Sequence, residues 1–195
     1  GYDRVFNSPL AEATVLGKAV GYSLQGFLPV VEIQFRDFLN PALTQLLDEI
    51  ATCSFRSGGS WTVPMVIRMA YGGYLHGGGA LWHSEAAIGP LIHHPGIRIC
   101  VPSSPRNAAT LLRAAIYCGD PVLFMEPKAI YRAKGEFFNT PYPDFEQVTW
   151  LEQGTSEVYG SGNDLAIIAY GNTAPICFEA LKLLEKKKVN ARLIV

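Results

Sequence analysis

Apolar and polar residues fall along the chain in blocks that switch between a two-residue and a 3.6-residue period. Pro29–Phe35 (PVVEIQF) alternates, with Val31, Ile33 and Phe35 on one side and Glu32 and Gln34 on the other, which predicts a strand. A strand buried on both faces is usually apolar throughout, so Glu32 and Gln34 point either at something polar or off the edge of a sheet. Pro64–Arg68, Ile97–Val101 and Val122–Met125 are short apolar runs that predict buried strands, and Asp3–Phe6 predicts a further short one. Helical periods lie between them. Ala11, Val15, Ala19 and Tyr22 share one face of a helix running from Leu10 to Gln25-Gly26, where Gly17 and Gly21 allow close packing. Asn40–Thr52 predicts a helix with Leu43, Leu46, Leu47 and Ile50 inward, and Ser104-Pro105 opens another that reaches about Cys118. Glu85–His93 predicts a short helix interrupted by Gly89-Pro90. Strand and helix alternate over residues 1–126, the pattern of a parallel sheet covered on both faces.

The pattern changes at 133–161, where prolines, aromatics and Gly154, Gly160 and Gly162 predict a linker. It resumes with a strand at Asp164–Tyr170, a helix from Thr173 to about Lys187 with Thr173 as N-cap and Pro175 in its first turn, and a strand at Val189–Val195. The expected organisation is a first α/β domain over 1–132, a linker over 133–161, and the start of a second α/β domain over 162–195. The closing ARLIV strand carries no turn, so the chain reads as part of a longer protein.

Composition narrows the classes. With 49% hydrophobic and 17% charged residues, 195 residues can bury a substantial core. Net charge is −1, and the Lys186–Lys188 run sits at a helix end, where cations suit the dipole, so nucleic acid is not an expected partner. The four cysteines stand singly with no C-x-x-C pair, as in a reduced intracellular protein. No apolar run approaches ~18 residues, so no membrane span is expected, and the polar opening GYDRVFNSP does not read as a signal peptide.

The chemistry concentrates in Tyr71–Glu85 (YGGYLHGGGALWHSE), a glycine-dense loop leaving a strand and ending on Trp82-His83-Ser84. Glycine lets a ligand approach the backbone closely, although a surface loop with a stray histidine has the same composition. His76, His83, His93 and His94 lack the H-x-x-x-H or C-x-x-C spacing of a metal site, so no protein-held metal is expected. Neither G-x-G-x-x-G, a P-loop nor G-x-S-x-G is present. What remains is Glu12 in the first turn of a helix, the Glu32/Gln34 strand face, Phe38 just past that strand, and His83. A carboxylate, an aromatic and an imidazole suit a site that holds a planar heterocycle and moves protons on it. Spacing does not name the heterocycle.

Six ordered segments do carry a family resemblance: DRVFNSPLAE (3–12), VVEIQFRDF (30–38), RSGG (56–59), HGGGALWHS (76–84), HHPGIRICVPSSP (93–105) and DPVLFMEPKAIYR (120–132). Together they resemble the β subunit of thiamine diphosphate-dependent 2-oxoacid dehydrogenases, the E1 components of the pyruvate and branched-chain 2-oxoacid complexes. The resemblance implies a three-layer, parallel-sheet thiamine diphosphate-binding fold followed by the start of a C-terminal α/β domain. It implies oxidative decarboxylation of a 2-oxoacid with acyl transfer to lipoamide on the E2 acyltransferase, in an α2β2-type assembly with an E1 α subunit or region. On this resemblance Glu12 hydrogen-bonds the pyrimidine N1′, Leu10 and Gln34 line the pyrimidine pocket, Phe38 stacks on the ring, and His83 serves the substrate carboxylate and the incoming lipoyl group. Thiamine diphosphate is then shared with the α partner, which holds the Mg²⁺. The implied location is the cytoplasm of a bacterium or the mitochondrial matrix of a eukaryote.

Two stretches depart from the family pattern. Where the family has H-S-Q-S-x-E-A, this chain has His83-Ser84-Glu85-Ala86-Ala87-Ile88, and the preceding glycine run is longer. Cys118 stands where an acidic residue accompanies a structural potassium ion in some members, so that ion is not expected. Other readings are a transketolase-like thiamine enzyme, disfavoured by EIQF and EPKAIYR, and a non-catalytic partner-binding module of the same fold, disfavoured by Glu12.

Overall fold

Met65–Tyr71 (β2) and Pro121–Pro127 (β4) are apolar nearly throughout, and they form the centre of the first sheet. The computed structural model describes residues 3–73, 79–139 and 156–195. In chain order its elements are α1 (Glu12–Leu24), β1 (Val30–Phe35), a 3-10 helix (Arg36–Ala42) running into a π-helix (Gln45–Ile50), α2 (Cys53–Arg56), β2, α3 (Gly89–Ile92), β3 (Arg98–Cys100), α4 (Pro105–Tyr117) and β4. Strands β1, β2, β4 and β3 lie side by side in that order, all parallel. Met65, Val66, Ile67, Met69, Val122, Leu123 and Met125 are fully buried. Each such side chain contributes roughly 1.5–3 kcal/mol on leaving water.

Helices cover both faces. On one, Leu16 and Ala19 of α1 and Leu39, Ala42, Leu46 and Ile50 of the 36–50 helical run pack on Ile33, Ile67, Met69 and Met125. On the other, Leu111, Leu112, Ala115 and Ile116 of α4 pack on Val66, Val122 and Phe124. Ser104 starts α4 by accepting the Asn107 amide at 3.1 Å, with Pro105 following it as the alternation of signals predicts. This is the three-layer parallel α/β arrangement expected from the sequence.

The C-terminal residues form a second, three-stranded sheet. Its strands are β5 (Val158–Tyr159), β6 (Leu165–Ile168) and β7 (Ala191–Ile194), ordered β5-β7-β6, with α5 (Thr173–Lys186) between β6 and β7. The β6–β7 pair is parallel, as a strand–helix–strand unit requires, and β5 joins antiparallel. Phe137, Ala174 and Leu193 are the buried centre of this unit, so the 133–161 stretch supplies both a core aromatic and a strand to it. The rest of that stretch, 140–155, lies outside the described residues. The two sheets meet at Gly171, whose amide donates to the buried Ser103 hydroxyl at 2.7 Å.

Several expected elements differ. Asp3–Phe6 is not a strand; among the described residues β1 pairs only with β2, so these residues have no ladder to join. The buried face of α1 is Leu16, Ala19 and Ser23, while Tyr22 is exposed beside Phe6 and Phe27. A Cβ at Gly21 would meet nothing within 4 Å, so that glycine does not serve close packing in this chain. The helix expected at Asn40–Thr52 begins earlier, as a 3-10 turn at Arg36 that accommodates Pro41. Pro90 starts α3 rather than interrupting a longer helix, because a proline in the first turn forfeits no hydrogen bond. Thr173 begins α5, with Asn172 at its N-cap, and its hydroxyl donates to the Tyr170 carbonyl at 2.6 Å.

Gly96, at φ +96°, abuts the next layer so closely that a Cβ would lie 1.9 Å from the Ala51 carbonyl oxygen. Gly96→Ala is expected to lower stability by more than about 2 kcal/mol, read from denaturant unfolding. Burial pushes the Cys100 thiol up from 9.0 to about 12. Between those values the unfolded chain has lost a proton that the folded chain keeps. The contribution is therefore complete below the unfolded pKa and is lost as pH rises toward the folded one. Stability should fall by up to about 1.4 kcal/mol per pH unit in this window from this group, a slope that Cys100→Ala removes.

Candidate active site

Open α/β sheets bind ligands at the carboxyl ends of their strands, and the candidate residues leave from those ends. β1 ends with an irregular register: Ile33 pairs with Met69 but Phe35 pairs with Ala70, so Gln34 is the extra residue of a bulge. Bulges re-aim side chains next to sites. Phe35, Phe38 and His83 form a ring cluster there. The His83 imidazole stands edge-on to Phe35 at 4.7 Å and to Phe38 at 5.5 Å, and the two phenyl rings are 5.6 Å apart.

His83 ends a short 3-10 turn (Leu81–His83), and its ring reaches back to its own loop, with Nδ1 3.1 Å from the Gly79 carbonyl oxygen. A carbonyl only accepts, so Nδ1–H is the donor in this contact. Gly79 has to be glycine: a Cβ there would lie 2.7 Å from both the His83 carbonyl oxygen and its Cβ. Ala80, between them in the loop, sits at φ 50°, ψ −160°, a region that glycine occupies far more readily.

The loop is tied to the end of β1 by charge. Arg36, 2% exposed, donates from Nε to the Ala87 carbonyl at 3.0 Å and from Nη1 to Asn40 Oδ1 at 2.9 Å. Its Nη1 also pairs with Glu85 at 3.2 Å, while the Glu85 amide donates to Asp37 Oδ2 at 3.3 Å. Lys128, at the end of β4 and also 2% exposed, donates from Nζ to the His83 carbonyl and lies 4.7 Å above the Phe35 ring. Burial lowers the Lys128 ammonium below the ordinary lysine range, and the Asp37 carboxylate offsets part of that. Beside the cluster opens a cleft of about 450 Å³, walled by Asp37, Phe38 and Asn40 on one side and by Leu81, Trp82, Ser84 and Glu85 on the other.

Of the residues expected from the sequence, Phe38 and His83 come together. Glu12 stands half-buried at the start of α1, the helix that packs on the 36–42 turn carrying Phe38, and its carboxylate has no side-chain partner among the described residues. Leu10 is 84% exposed and Gln34 is exposed at the bulge, so neither joins the ring cluster within this chain. Glu32 pairs with Arg68 at 3.5 Å, so the polar side of β1 is in part an edge-strand ion pair. His76 lies outside the described residues, as does most of the glycine run. Arg36 and Lys128 escaped the sequence reading; each is a cation directly after a strand, which was the available signal. Among the described residues no group of three or more His, Cys, Asp or Glu could hold a metal ion, and no helix is long and apolar enough to cross a membrane.

A four-stranded parallel sheet covered by helices on both faces is the fold of a transketolase-type pyrimidine-binding domain. The chain belongs to that family: residues 1–134 match the transketolase pyrimidine binding domain. Along its whole length it is similar to the 2-oxoisovalerate dehydrogenase subunit beta of Bacillus subtilis, at 38% identity over 57% of that protein. It is equally similar to the pyruvate dehydrogenase E1 component subunit beta of the same organism, 38% identical over all of this chain and 57% of the relative. The chain thus spans somewhat over half the length of these relatives. Among solved structures it shares its fold with a split-gene transketolase described as an inactive beta4 tetramer, with a TM-score of 0.75 at 22% identity over 98% of this chain and 56% of that one.

Glu85 neutralises the buried Arg36. Glu85→Ala is expected to cost about 1–3 kcal/mol, less than a fully buried pair because Glu85 is partly exposed, while Glu85→Gln, which keeps a hydrogen bond, costs less than half as much. Thermal unfolding of the two variants checks the order.

Proposed function

We propose that this chain is the β chain of the E1 component of a 2-oxoacid dehydrogenase complex, supplying the pyrimidine side of a thiamine diphosphate site that an α partner completes. The observation that carries this reading is the His83–Phe38–Phe35 cluster at the sheet's carboxyl end, in a chain similar over its full length to two such β subunits. The residues fit the ring half of the cofactor. Glu12 offers an unpartnered carboxylate to a ring nitrogen, Leu10 an exposed apolar side chain, and Phe38 a half-buried aromatic beside an open cleft.

The cofactor, when bound, supplies an acidic ring carbon and an electron sink for loss of CO₂. The chain's own residues do the rest of its share. Glu12 would hold the pyrimidine and favour the tautomer in which an exocyclic nitrogen accepts a proton. Phe38 would stack on the ring, with Leu10 and Gln34 at its margin. His83 would stand near the substrate carboxylate and the incoming lipoyl group of an E2 acyltransferase, donating from Nε2 only while that nitrogen carries a proton. Magnesium and the diphosphate belong to the partner in this reading. Substrate identity is tested by assembling the full-length chain with its α partner and assaying pyruvate, branched-chain and other 2-oxoacids. Absence of turnover on all of them, with cofactor bound, would favour a non-catalytic module of the same fold.

If Glu12 polarises the pyrimidine, Glu12→Gln in the assembled enzyme should slow thiazolium C2–H exchange by roughly 10²-fold or more. Deuterium exchange followed by NMR after acid quench reads this directly, and unchanged exchange removes Glu12 from the mechanism.

A further inference from the structure

We propose that Lys128 is the positioning residue for His83, a buried cationic strut that holds the imidazole at the angle its chemistry needs. The proposal rests on the role given to His83 above. Lys128 follows β4, the strand that pairs with β2 along its whole length, so its backbone is among the most firmly placed in the first sheet. From there its side chain is 2% exposed and reaches two parts of the cluster at once. The ammonium donates to the main-chain carbonyl of His83 and sits 4.7 Å over the face of Phe35. The same Phe35 ring meets the His83 imidazole edge-on at 4.7 Å, at an interplanar angle of 90°.

Lysine is suited to this in a way that an apolar residue is not. Cation–π attraction holds Phe35, and a charge-assisted hydrogen bond holds the His83 backbone, so one group fixes both the support of the ring and the point from which the ring hangs. Besides Phe35, the ring meets Phe38 at 5.5 Å and the Gly79 carbonyl at 3.1 Å, the latter within its own loop. Arg36 and Asp37 anchor the loop further on, through Ala87 and Glu85, and reach neither His83 atom. Without Lys128 the His83 main chain loses its attachment to the end of β4, and Phe35 loses the cation over its face.

The test uses the full-length β chain assembled with its α partner, in wild type, Lys128→Met, Lys128→Arg, His83→Ala and the Lys128→Met/His83→Ala double variant. Two readouts are taken. The first compares acylation of a lipoyl domain with single-turnover decarboxylation monitored by an artificial electron acceptor. Lys128→Met is expected to cut acylation by about 10–10²-fold, the scale of a misplaced catalytic group, and to leave decarboxylation within a few-fold. The double variant should be no worse than His83→Ala alone, because both changes disable one unit. Lys128→Arg should recover much of the loss.

The second readout needs no turnover: diethyl pyrocarbonate labelling of His83, mapped by peptide mass, with the exposed His93 and His94 as internal controls. His83 should label more slowly than these controls in wild type and approach them in Lys128→Met, with the thermal midpoint within a few degrees. Unchanged His83 labelling in Lys128→Met, or additive losses in the double variant, would overturn the proposal. If the methionine variant fails to assemble, Lys128→Gln carries the same comparison. A His83→Ala enzyme with normal acylation would instead reject the role given to His83, and the labelling comparison would still decide what Lys128 does.

Discussion

The register between β2 and β4 is the constraint on which the site depends. Seven consecutive residue pairs, from Met65 with Pro121 to Tyr71 with Pro127, are matched without a slip. Each strand buries side chains on both faces, so moving one past the other by a residue would exchange the layer packed by α1 for the layer packed by α4. That rigidity sets where each strand stops. β4 delivers Lys128, β2 delivers the loop that returns at Leu81–His83, and β1, bulged at Gln34, delivers Phe35, Arg36, Asp37 and Phe38. The ring cluster is the place where these three strand ends converge.

Charge then fixes what hydrophobic packing leaves free. Glycine-dense segments have high conformational entropy, and the loop after β2 is held by four polar attachments from two strand ends: Arg36 to Ala87, Arg36 to Glu85, Asp37 to the Glu85 amide, and Lys128 to His83. Burying the two cations requires that each be answered, Arg36 by Glu85 and Asn40, Lys128 by a carbonyl, an aromatic face and the field of Asp37. Glu85 therefore has a local physical role in this chain: it supplies the counter-charge to a guanidinium that is almost wholly out of water. The same arrangement leaves Trp82 and Leu81 exposed at the wall of the cleft.

Much of this was legible along the chain. Period alone separated β1 from α1 and α5, the apolar runs marked β2, β3 and β4, and Ser104-Pro105 marked the start of α4, because these signals are local and the physics behind them acts within a few residues. Six ordered motifs pointed to the family, while the ring-holding role read from Glu, Phe and His stands as part of the proposed function. What the sequence could not determine is which groups meet across many residues. The partners of Lys128 and Arg36 lie 45 and 51 residues away. The bulge at Gln34, the 3-10 and π turns after β1, and the outward face of Tyr22 arise because the helices must seat on a twisted sheet, which overrides local periodicity. Residue types and their order thus decided the chemistry available to this protein. Only the tertiary structure decided that His83 hangs from Lys128 and rests on Phe35, because burial and long-range pairing exist only once the strands are side by side.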